Sequence, residues 1–578
     1  MVLLQTLANV PETGKFVQSV CQPSMRRTSY YLCLFAALLL AACSTRRSVD
    51  FIFTNATVYT VDSAFAVTQA FAVDKGKFIA TGTTTTLLDQ YRSDSIIDLQ
   101  GQPVYPGFYD PHAHFLGLGQ MLSQADLVGA TSYQDVVNRL KAYQAQHPEV
   151  LWIIGRGWDQ NDWPKSDSPV RGFPTNKLLN EAFPNIPVAL TRIDGHALLV
   201  NDKALKLARV TGSTAMPGGE VVLAGTQPTG VLVDNAMQVI RRVIPQPDEA
   251  AKTQMLQAAE KVCLELGLTT VSDAGLNRTD IELVDRLHQE KKLKIRDYAM
   301  ISLGESNLEY YLKRGPYQTD RLTVKAFKLY ADGALGSRGA CLRKPYTDRP
   351  ETTGFLLLSP AELERVTKLL ANSGFQANTH CIGDSANHLM LDLYGTYLKT
   401  KNNRRWRIEH AQVVSPEDVW KFGRYSIIPS VQPTHTTSDM YWAGERLGPI
   451  RVKGAYAFND LMKQNGYITF GSDFPVELVN PLFGFHAAVA RQDAKNYPKG
   501  GYQPENAVSR KAALMAMTRW AAYACFEDSL RGSIAPGKQA DFVILDSDIM
   551  TVPNEKLRGV KVRQTWVGGE RLFSASRP

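Results

Sequence analysis

The sequence predicts an α/β protein: a (β/α)₈ barrel with a small β-sandwich domain built from both ends of the chain. Short apolar strands alternate with helical stretches through the middle of the chain. Both ends of the chain contain strand-like runs in which apolar and polar residues alternate. Strand–helix alternation is typical of a parallel sheet, and about eight repeats indicate a closed barrel. An open doubly wound sheet is the alternative that this pattern leaves.

Length and composition exclude several classes of protein. The chain of 578 residues is longer than one ordinary domain, and 44% of its residues are apolar. The formal net charge of +8 is a small excess of 64 basic over 56 acidic residues. No basic run is concentrated enough to predict nucleic-acid binding. The seven cysteines show no CxxC pair, so neither a zinc ribbon nor a disulfide framework is indicated.

The first 42 residues have the features of a secretory signal. Met25-Arg26-Arg27 precedes the apolar run YYLCLFAALLLAAC, which is shorter than the roughly 18 residues of a spanning helix. Leu40-Ala41-Ala42-Cys43 resembles the lipobox of bacterial lipoproteins, whose cysteine is lipidated and becomes the new N-terminus. An ordinary signal peptide or an N-terminal anchor is the alternative, and translation could start at Met25.

The lipobox predicts where the protein works. Cleavage before Cys43 removes three basic residues and Glu12, which lowers the formal net charge from +8 to +6. The mature protein is then expected to be lipid-anchored in the cell envelope, at a membrane surface and facing away from the cytoplasm. The sequence is compatible with a homodimer as well as with a monomer.

Residues 43–106 and 526–578 are predicted to form the β-sandwich together. The N-terminal part contains FIFTNATVYTVD, AFAVDKGKFIATGT and SIIDL, and the C-terminal part contains QADFVILDSD and VKVRQTWVGGERLF. Turn signals separate the runs. Neither part is large enough for a comfortable core, and chain termini often lie close together.

Residues 107–525 are predicted to form the barrel. Nine stretches have the composition of strands: VYPGFYD, VALTRID, LTTVSDA, IRDYAMI, VKAFKLYADG, FQANTHC, RWRIEHA, YSIIPSVQP and YITFGSD. AAKTQMLQAAEKVCLEL and AELERVTKLLANS are helical patterns between them. This region exceeds the ~250 residues of a typical barrel. Much of the excess lies at about 121–245, interpreted as an insertion that covers the barrel mouth.

Polar residues stand at or near the ends of five predicted barrel strands. They are His112 and His114, Lys328, His380, His410 and Asp473. Strand C-termini ring the mouth of such a barrel and carry its catalytic residues. Imidazole and carboxylate ligands suit zinc and related divalent cations, and a bound cation offsets the cost of burying these groups. His112 and His114 are two residues apart, so on a strand both rings project from one face.

Five motifs together resemble the amidohydrolase superfamily: PGFYDPHAH, KLYADGALGSRGA, NTHCIGD, RIEHA and GSDFP. The closest resemblance is to the branch that contains the YtcJ-like hydrolases and N-substituted formamide deformylase. The segment GSIAPGKQADFVILDSD resembles the return of that family into its β-sandwich. The resemblance runs from about residue 50 to 575, and it implies a metal-dependent (β/α)₈ barrel beside a small β-sandwich.

The resemblance implies a ligand set for one or two divalent ions, zinc being the expected metal. His112 and His114 would bind the first metal, and His380 and His410 the second. His388 is an alternative to His380, but it falls in a predicted helix.

Two further roles come from the same resemblance. Lys328 is similar to the lysine that is carboxylated in this family and bridges two metals; Lys325 competes with it. Carboxylation replaces a cation by an anionic oxygen ligand. Asp473 would bind the first metal and act as general acid/base, taking a proton from the attacking water and passing it to the leaving nitrogen. Glu409 precedes His410 and is interpreted as a supporting or structural residue.

Six more residues are candidates for substrate contact. They are Trp158, Asp159, His196, Asp332, Arg338 and His435. Each could instead serve only packing or loop structure. The expected partner is a small molecule with an amide-type bond.

The sequence therefore predicts a metal-dependent hydrolase of an amide, N-acyl or N-formyl carbon–nitrogen bond, other than a peptide bond, which uses a metal-activated hydroxide. Hydrolysis of an ester, a cyclic amide or a dipeptide-like substrate is the alternative on the same scaffold, because fold does not determine substrate. A different class, a non-catalytic metal-binding surface lipoprotein, also remains open.

Overall fold

The computed structural model describes residues 46–576. The predicted signal segment and Cys43 lie outside these residues. Within the described part of the chain, no helix is both long and apolar enough to cross a bilayer.

Eight parallel strands form the barrel, and we label them β1–β8 in chain order. They are β1 Phe108–Ala113, β2 Leu268–Leu276, β3 Arg296–Ser302, β4 Leu322–Tyr330, β5 Gln376–Cys381, β6 Arg407–His410, β7 Ile428–Val431 and β8 Thr469–Phe470. Each pairs with the next in sequence order, and Tyr317–Gln318 adds an antiparallel strand at β4. The backbone N–H of Asp473 donates to His112 O (2.8 Å), and that of His114 donates to Phe474 O (2.8 Å). These bonds join the segment just after β8 to the end of β1, so the barrel prediction is confirmed and the open sheet is excluded.

Helices surround the barrel strands. They span Phe115–Leu122, Glu249–Glu265, Arg278–Gln289, Glu305–Arg314, Pro360–Ala371, Asp384–Leu398, Val419–Arg424, Pro433–Asp439, Ala443–Arg451, Phe458–Asn465, Pro481–Ala490, Arg510–Ala516 and Arg519–Ala524. Short 3₁₀ turns occur at Val452–Gly454, Pro504–Asn506 and Asn554–Gly559. The apolar faces of most of these helices pack against the strands in one large core.

Both ends of the chain build a second domain, as predicted. A four-stranded sheet contains Lys77–Gly82, Ala70–Asp74, Phe51–Thr54 and Ile96–Asp98. A six-stranded sheet contains Glu570–Ser574, Val562–Val567, Phe542–Leu545, Pro103–Pro106, Thr57–Tyr59 and Val67–Thr68. Arg47–Ser48 pairs with Tyr91–Arg92, and the helix Thr84–Gln90 lies between strands in sequence. Aromatic side chains from both chain ends, among them Phe53 and Phe542, share one core.

The predicted strand VYPGFYD is divided between two domains. Pro103–Pro106 pairs with Phe542–Leu545 in the sandwich, whereas β1 begins at Phe108 in the barrel. Gly107 joins them at a point where a Cβ atom would lie 2.3 Å from Thr269 Oγ1. The chain therefore changes domain without a loop because a residue with no side chain fits there.

The insertion after β1 is a domain with its own sheet and core. Its strands are Ala125–Asp126, Ile153–Trp158, Val188–Arg192, Ala197–Val200, Gly219–Ala224 and Gln227–Asp234. Its helices are Tyr133–Gln146, Lys177–Ala182, Asp202–Leu207 and Met237–Arg241, with 3₁₀ turns at Gln160–Asp162 and Lys165–Asp167. The strand candidate VALTRID belongs to this sheet and not to the barrel. The sheet is mixed, with parallel and antiparallel pairs.

Candidate metal centre and active site

The first candidate metal site lies where β1 meets β8. His112 Nε2 is 3.3 Å and His114 Nε2 is 3.1 Å from Asp473 Oδ1. The ligand atoms of these three residues all lie within 4.8 Å of one another. Asp473 Oδ1 is buried and has no partner with hydrogen-bond geometry among the described residues. Lone pairs that converge without hydrogen bonds are what a site for a divalent cation requires.

The tautomer of His112 fits a metal ligand. Glu409 is fully buried and accepts a hydrogen bond from His112 Nδ1, which leaves the Nε2 lone pair directed at Asp473. Arg407 Nε also donates to Glu409, at 2.5 Å. Burial raises the pKa of the Glu409 carboxyl, but Arg407 and His112 outweigh burial and bring the pKa to about 2. Glu409 is therefore an anion that orients the first ligand.

A second group of possible ligands adjoins the first. It contains His410, His435 and again Asp473, with ligand atoms within 4.8 Å. His410 Nδ1 is 2.7 Å from Gln432 Oε1, so Nε2 is left as the ligand atom. His435 Nε2 is 4.0 Å from Asp473 Oδ2 and has no hydrogen-bond partner within residues 46–576. This places His435, predicted as a substrate contact, in a ligand position.

His380 lies beside this second group. Its ring centroid is 4.5 Å from that of His410. Its Nε2 atom is 3.3 Å from the carbonyl oxygen of Gly333, which leaves Nδ1 as the atom with a free lone pair. The geometry thus offers both His380 and His435 as partners of His410.

Lys328 is buried between the two groups. Its Nζ atom is 3.1 Å from His112 Nε2, and burial lowers the pKa of its amine to about 8. Lys325 lies elsewhere, with Nζ 4.1 Å from the ring centroid of Phe526. His388 is also distant from the ligands, because its Nδ1 atom is 2.9 Å from Asp418 on the outer helices.

Asp110 holds the ligand-bearing ends of β1 and β8 together. Its carboxylate accepts from the Ser472 hydroxyl at 2.6 Å and from the backbone N–H of Ser472 at 3.1 Å. It also accepts from the backbone N–H of His112 at 3.0 Å. Asp110 thus joins His112, a candidate ligand, to Ser472, the residue that precedes the candidate ligand Asp473.

A cavity of about 280 Å³ opens above the ligands. The barrel and the inserted domain both line it, and the lining residues include His114, Lys328, His380, His410, His435, Asp473, Asp159, Arg192, Asp194, His196, Asp439 and Glu477. The charge of Arg192 is neutralised by Asp159 and Asp194, which both accept hydrogen bonds from its guanidinium. The cavity therefore combines a ligand cluster with walls contributed by two domains.

Three of the predicted substrate contacts do not line the cavity. Trp158 is buried in the core of the inserted domain, where its Nε1 donates to Leu190 O at 2.7 Å. Asp332 accepts from backbone N–H groups of two loops and lies behind His380, with its Oδ1 3.7 Å from His380 Nε2. Arg338 pairs with Asp348. These side chains hold the walls in place, whereas Asp159, His196 and His435 do line the cavity.

Asp234 is a residue that sequence reasoning missed. It lies at the end of the last strand of the inserted sheet, and its Oδ1 is 2.5 Å from His196 Nδ1. The segment GVLVDNA reads as an ordinary buried strand, so no local signal distinguishes this carboxylate.

Comparisons with known proteins identify the family of this chain. A profile of the amidohydrolase family matches residues 95–573. YtcJ of Bacillus subtilis is 31% identical, over 90% of this chain and 98% of its own. N-substituted formamide deformylase of Arthrobacter pascens is 25% identical, over 90% and 97%. The crystal structure of an uncharacterized metal-dependent hydrolase from Pyrococcus horikoshii matches with a TM-score of 0.70 and 31% identity, over 87% and 99%. The chain belongs to the amidohydrolase family.

Proposed function

We propose that this metal-dependent hydrolase cleaves a carbon–nitrogen bond of an amide, N-acyl or N-formyl compound. The observation that carries the proposal is the position of Asp473. One carboxylate oxygen lies near both His112 in β1 and His114 just after β1, and the other faces His435 inside the cavity. One side chain can thus both bind a cation and contact a substrate. The similarity to N-substituted formamide deformylase supports the choice of bond.

Zinc is the divalent cation expected for this set of nitrogen and oxygen donors. When bound at these ligands, it would polarise the scissile carbonyl and lower the pKa of a water molecule. Asp473 then takes a proton from the attacking water. It delivers this proton to the nitrogen that leaves with the electron pair of the broken bond. Glu409 and Gln432 keep His112 and His410 in the tautomers that this arrangement needs.

We also propose that Lys328 is carboxylated. Only a neutral amine adds to carbon dioxide, and the pKa of about 8 leaves about half of the Lys328 amine neutral at pH 8, compared with less than ~1% for an ordinary lysine. The resulting carbamate would replace the ammonium by an oxygen ligand next to His112. Carbon-13 NMR of protein loaded with labelled bicarbonate should show a carbamate signal that the Lys328→Met variant lacks.

Turnover of matched substrates tests the proposed bond. Protein stripped by a chelator and reloaded with zinc is offered N-formyl and N-acyl amines, their ester counterparts, a cyclic amide and a dipeptide. We expect hydrolysis of the amides by the reloaded protein only. Hydrolysis of the esters, the cyclic amide or the dipeptide alone would replace the proposal by that activity. No turnover of any compound would favour the metal-binding surface protein.

The Asp473→Asn variant tests the proposed acid/base role. Loss of a general acid/base should lower kcat by at least about 10²–10⁴-fold, while His112 and His114 retain bound metal. Asp89→Asn is the control, since Asp89 is exposed in the sandwich domain. Kinetics and elemental analysis are measured on both. An active Asp473→Asn enzyme would remove Asp473 from the mechanism.

We further propose that the mature protein begins at a lipidated Cys43 and works at a membrane surface outside the cytoplasm. The lipobox Leu40–Cys43 after the short apolar run supports this proposal. Mass spectrometry of the mature N-terminus should find a lipid on Cys43, and a start at another residue would refute it.

A further inference from the structure

The inserted domain places a histidine–carboxylate pair at the edge of the ligand cluster. His196 lines the cavity, and its ring centroid is 5.1 Å from that of His380. Its Nδ1 atom is 2.5 Å from Asp234 Oδ1, and its backbone N–H donates to Asp194 Oδ1 at 3.0 Å. Neither His196 nor Asp234 belongs to the candidate ligand groups. The ring is therefore fixed beside the ligands without being one of them.

Asp234 is held in a socket formed by the barrel loop after β4. A Cβ atom on Gly333 would lie 2.4 Å, and one on Gly339 2.2 Å, from Asp234 Oδ2. These two glycines of the motif ADGALGSRGA thus leave room for a side chain from the other domain. The Gly333 carbonyl oxygen also contacts His380 Nε2. One loop consequently sets the positions of Asp234 and of a candidate ligand together.

The hydrogen bonds of Asp234 are too few for a purely structural carboxylate. Its side chain is 1% exposed, and Oδ2 has no hydrogen-bond partner among the described residues. Burying a carboxylate with one side-chain partner costs free energy. Its single partner, His196, is the group that reaches the cavity.

We propose that His196 is a substrate-binding residue supplied by the inserted domain, which accepts the N–H of the scissile amide through Nε2, and that Asp234 is its positioning residue. The proposal rests on the proposed amide hydrolysis and deepens it, because it names the substrate class. The site takes amides that retain an N–H, such as secondary amides, and disfavours N,N-disubstituted amides and esters.

The tautomer leads to this assignment. A carboxylate only accepts hydrogen bonds, so Nδ1 carries a proton, and the form of His196 that accepts a substrate N–H is the neutral imidazole with no proton on Nε2. Nε2 then presents a lone pair to the cavity. An N–H of the bound amide satisfies that lone pair and orients the leaving nitrogen over the ligand cluster. A site built to bind a substrate N–H rejects the analogue that lacks it, because its own polar group is left unpaired.

The test compares a secondary amide with its N-methyl counterpart in four zinc-loaded proteins: wild type, His196→Ala, Asp234→Asn and Glu220→Gln. Glu220 is the control because it links the inserted domain to the barrel through Arg349, away from the cavity. We expect His196→Ala to lower kcat/KM for the secondary amide by about 10–100-fold and to change the N-methyl amide by less than about twofold. Asp234→Asn should show the same selectivity with a smaller loss, and Glu220→Gln should resemble wild type.

Proton NMR of the metal-free protein provides a readout besides activity. The short bond from His196 Nδ1 to Asp234 should give a downfield imidazole resonance that disappears in His196→Ala and Asp234→Asn and persists in Glu220→Gln. Equal losses on both amides, or a resonance unaffected by Asp234→Asn, would overturn the inference and leave amide hydrolysis intact. Turnover of esters alone by wild type would instead overturn the proposed function, and N–H recognition with it.

Discussion

At the scale of single residues, the orientation of His112 depends on a buried charged pair, Arg407 and Glu409, that does not line the cavity. Glu409 accepts from His112 Nδ1 and from Arg407, and all three side chains are buried. Arg407 Nη2 also donates to Pro111 O at 2.8 Å. Glu409 and Arg407 therefore connect the candidate ligand His112 to the backbone of β1 at Pro111.

Glu409→Gln should weaken both metal binding and the fold. Loss of the carboxylate removes the partner that orients His112, so affinity for zinc should fall about 10–100-fold. It also leaves Arg407 as a buried unpaired charge, which should lower the free energy of unfolding by about 3–5 kcal/mol. Chelator competition and denaturant unfolding measure the two effects.

Glu417→Gln is the matched control for this change. Glu417 is 63% exposed and pairs with Arg343 at the surface, so its loss should cost less than about 1 kcal/mol and leave zinc affinity unchanged. Equal zinc affinity in Glu409→Gln and wild type would show that Glu409 does not orient His112.

The sequence predicts the candidate metal ligands better than it predicts the residues that orient them. His112 and His114 lie at and just after the end of β1, and Lys328, His380, His410 and Asp473 stand at or near strand ends, so barrel topology alone brings them together. The partner of His112 is 297 positions away in sequence. Glu409 precedes the candidate ligand His410 in the sequence, but its carboxylate contacts a different ligand, His112. No local sequence pattern indicates this contact. Supporting contacts of this kind depend on side-chain directions that only the closed barrel defines.

At the scale of secondary-structure elements, the sequence did not predict the inserted sheet, and the reason is physical. Strands such as Ala197–Val200 are buried at every position, so they lack the alternation of polar and apolar residues that marks a half-exposed strand. Its first strand, Ala125–Asp126, has two residues. The barrel strands are recognisable because helices of 10 or more residues separate several of them. In the insertion, Tyr133–Gln146 is the one helix of that length among the described residues.

The junction between the sandwich and β1 is an element whose packing can be tested. Gly107→Ala places a methyl group 2.3 Å from Thr269 Oγ1, and this overpacking should lower the free energy of unfolding by about 1–3 kcal/mol. Gly444→Ala is the control, because no atom lies within 4 Å of a Cβ at that helical position; it should stay within about 1 kcal/mol of wild type.

A second change separates crowding from backbone effects at this junction. Thr269→Ala removes Oγ1 and Cγ2, the two atoms that the new methyl group meets most closely, so the double variant should be more stable than the sum of the single effects predicts. Strict additivity in thermal unfolding would show that contact with Thr269 is not the cause of the destabilisation.

At the scale of the whole molecule, a buried ion pair joins the barrel to the sandwich. Arg296 of β3 donates to both carboxylate oxygens of Asp541, at 2.8 and 3.2 Å, just before the strand Phe542–Leu545. The backbone N–H of Gly568 donates to the same carboxylate at 2.7 Å. Both side chains are at most 3% exposed. A buried charge-assisted contact thus helps to hold the C-terminal strands on the barrel.

Asp541→Asn should destabilise the protein in a pH-dependent way. Removing one member of a buried pair costs about 3–5 kcal/mol. Burial raises the pKa of the Asp541 carboxyl, but Arg296 outweighs it and holds the pKa below its ordinary value. The stabilisation is therefore complete above about pH 4, the unfolded pKa of an aspartate, and is lost as the pH falls towards the lower folded pKa. Denaturant unfolding of wild type and variant should converge over that acidic range.

An exposed ion pair between the same two domains isolates the effect of burial. Lys294 pairs with Glu570, which is 50% exposed, so Glu570→Gln should cost less than about 1 kcal/mol at any pH. If Asp541→Asn and Glu570→Gln were equally mild at pH 7, the domains would be held by their apolar contacts alone. If only Asp541→Asn is destabilising, the buried pair explains why a sandwich assembled from two distant chain segments stays docked on the barrel that carries the active site.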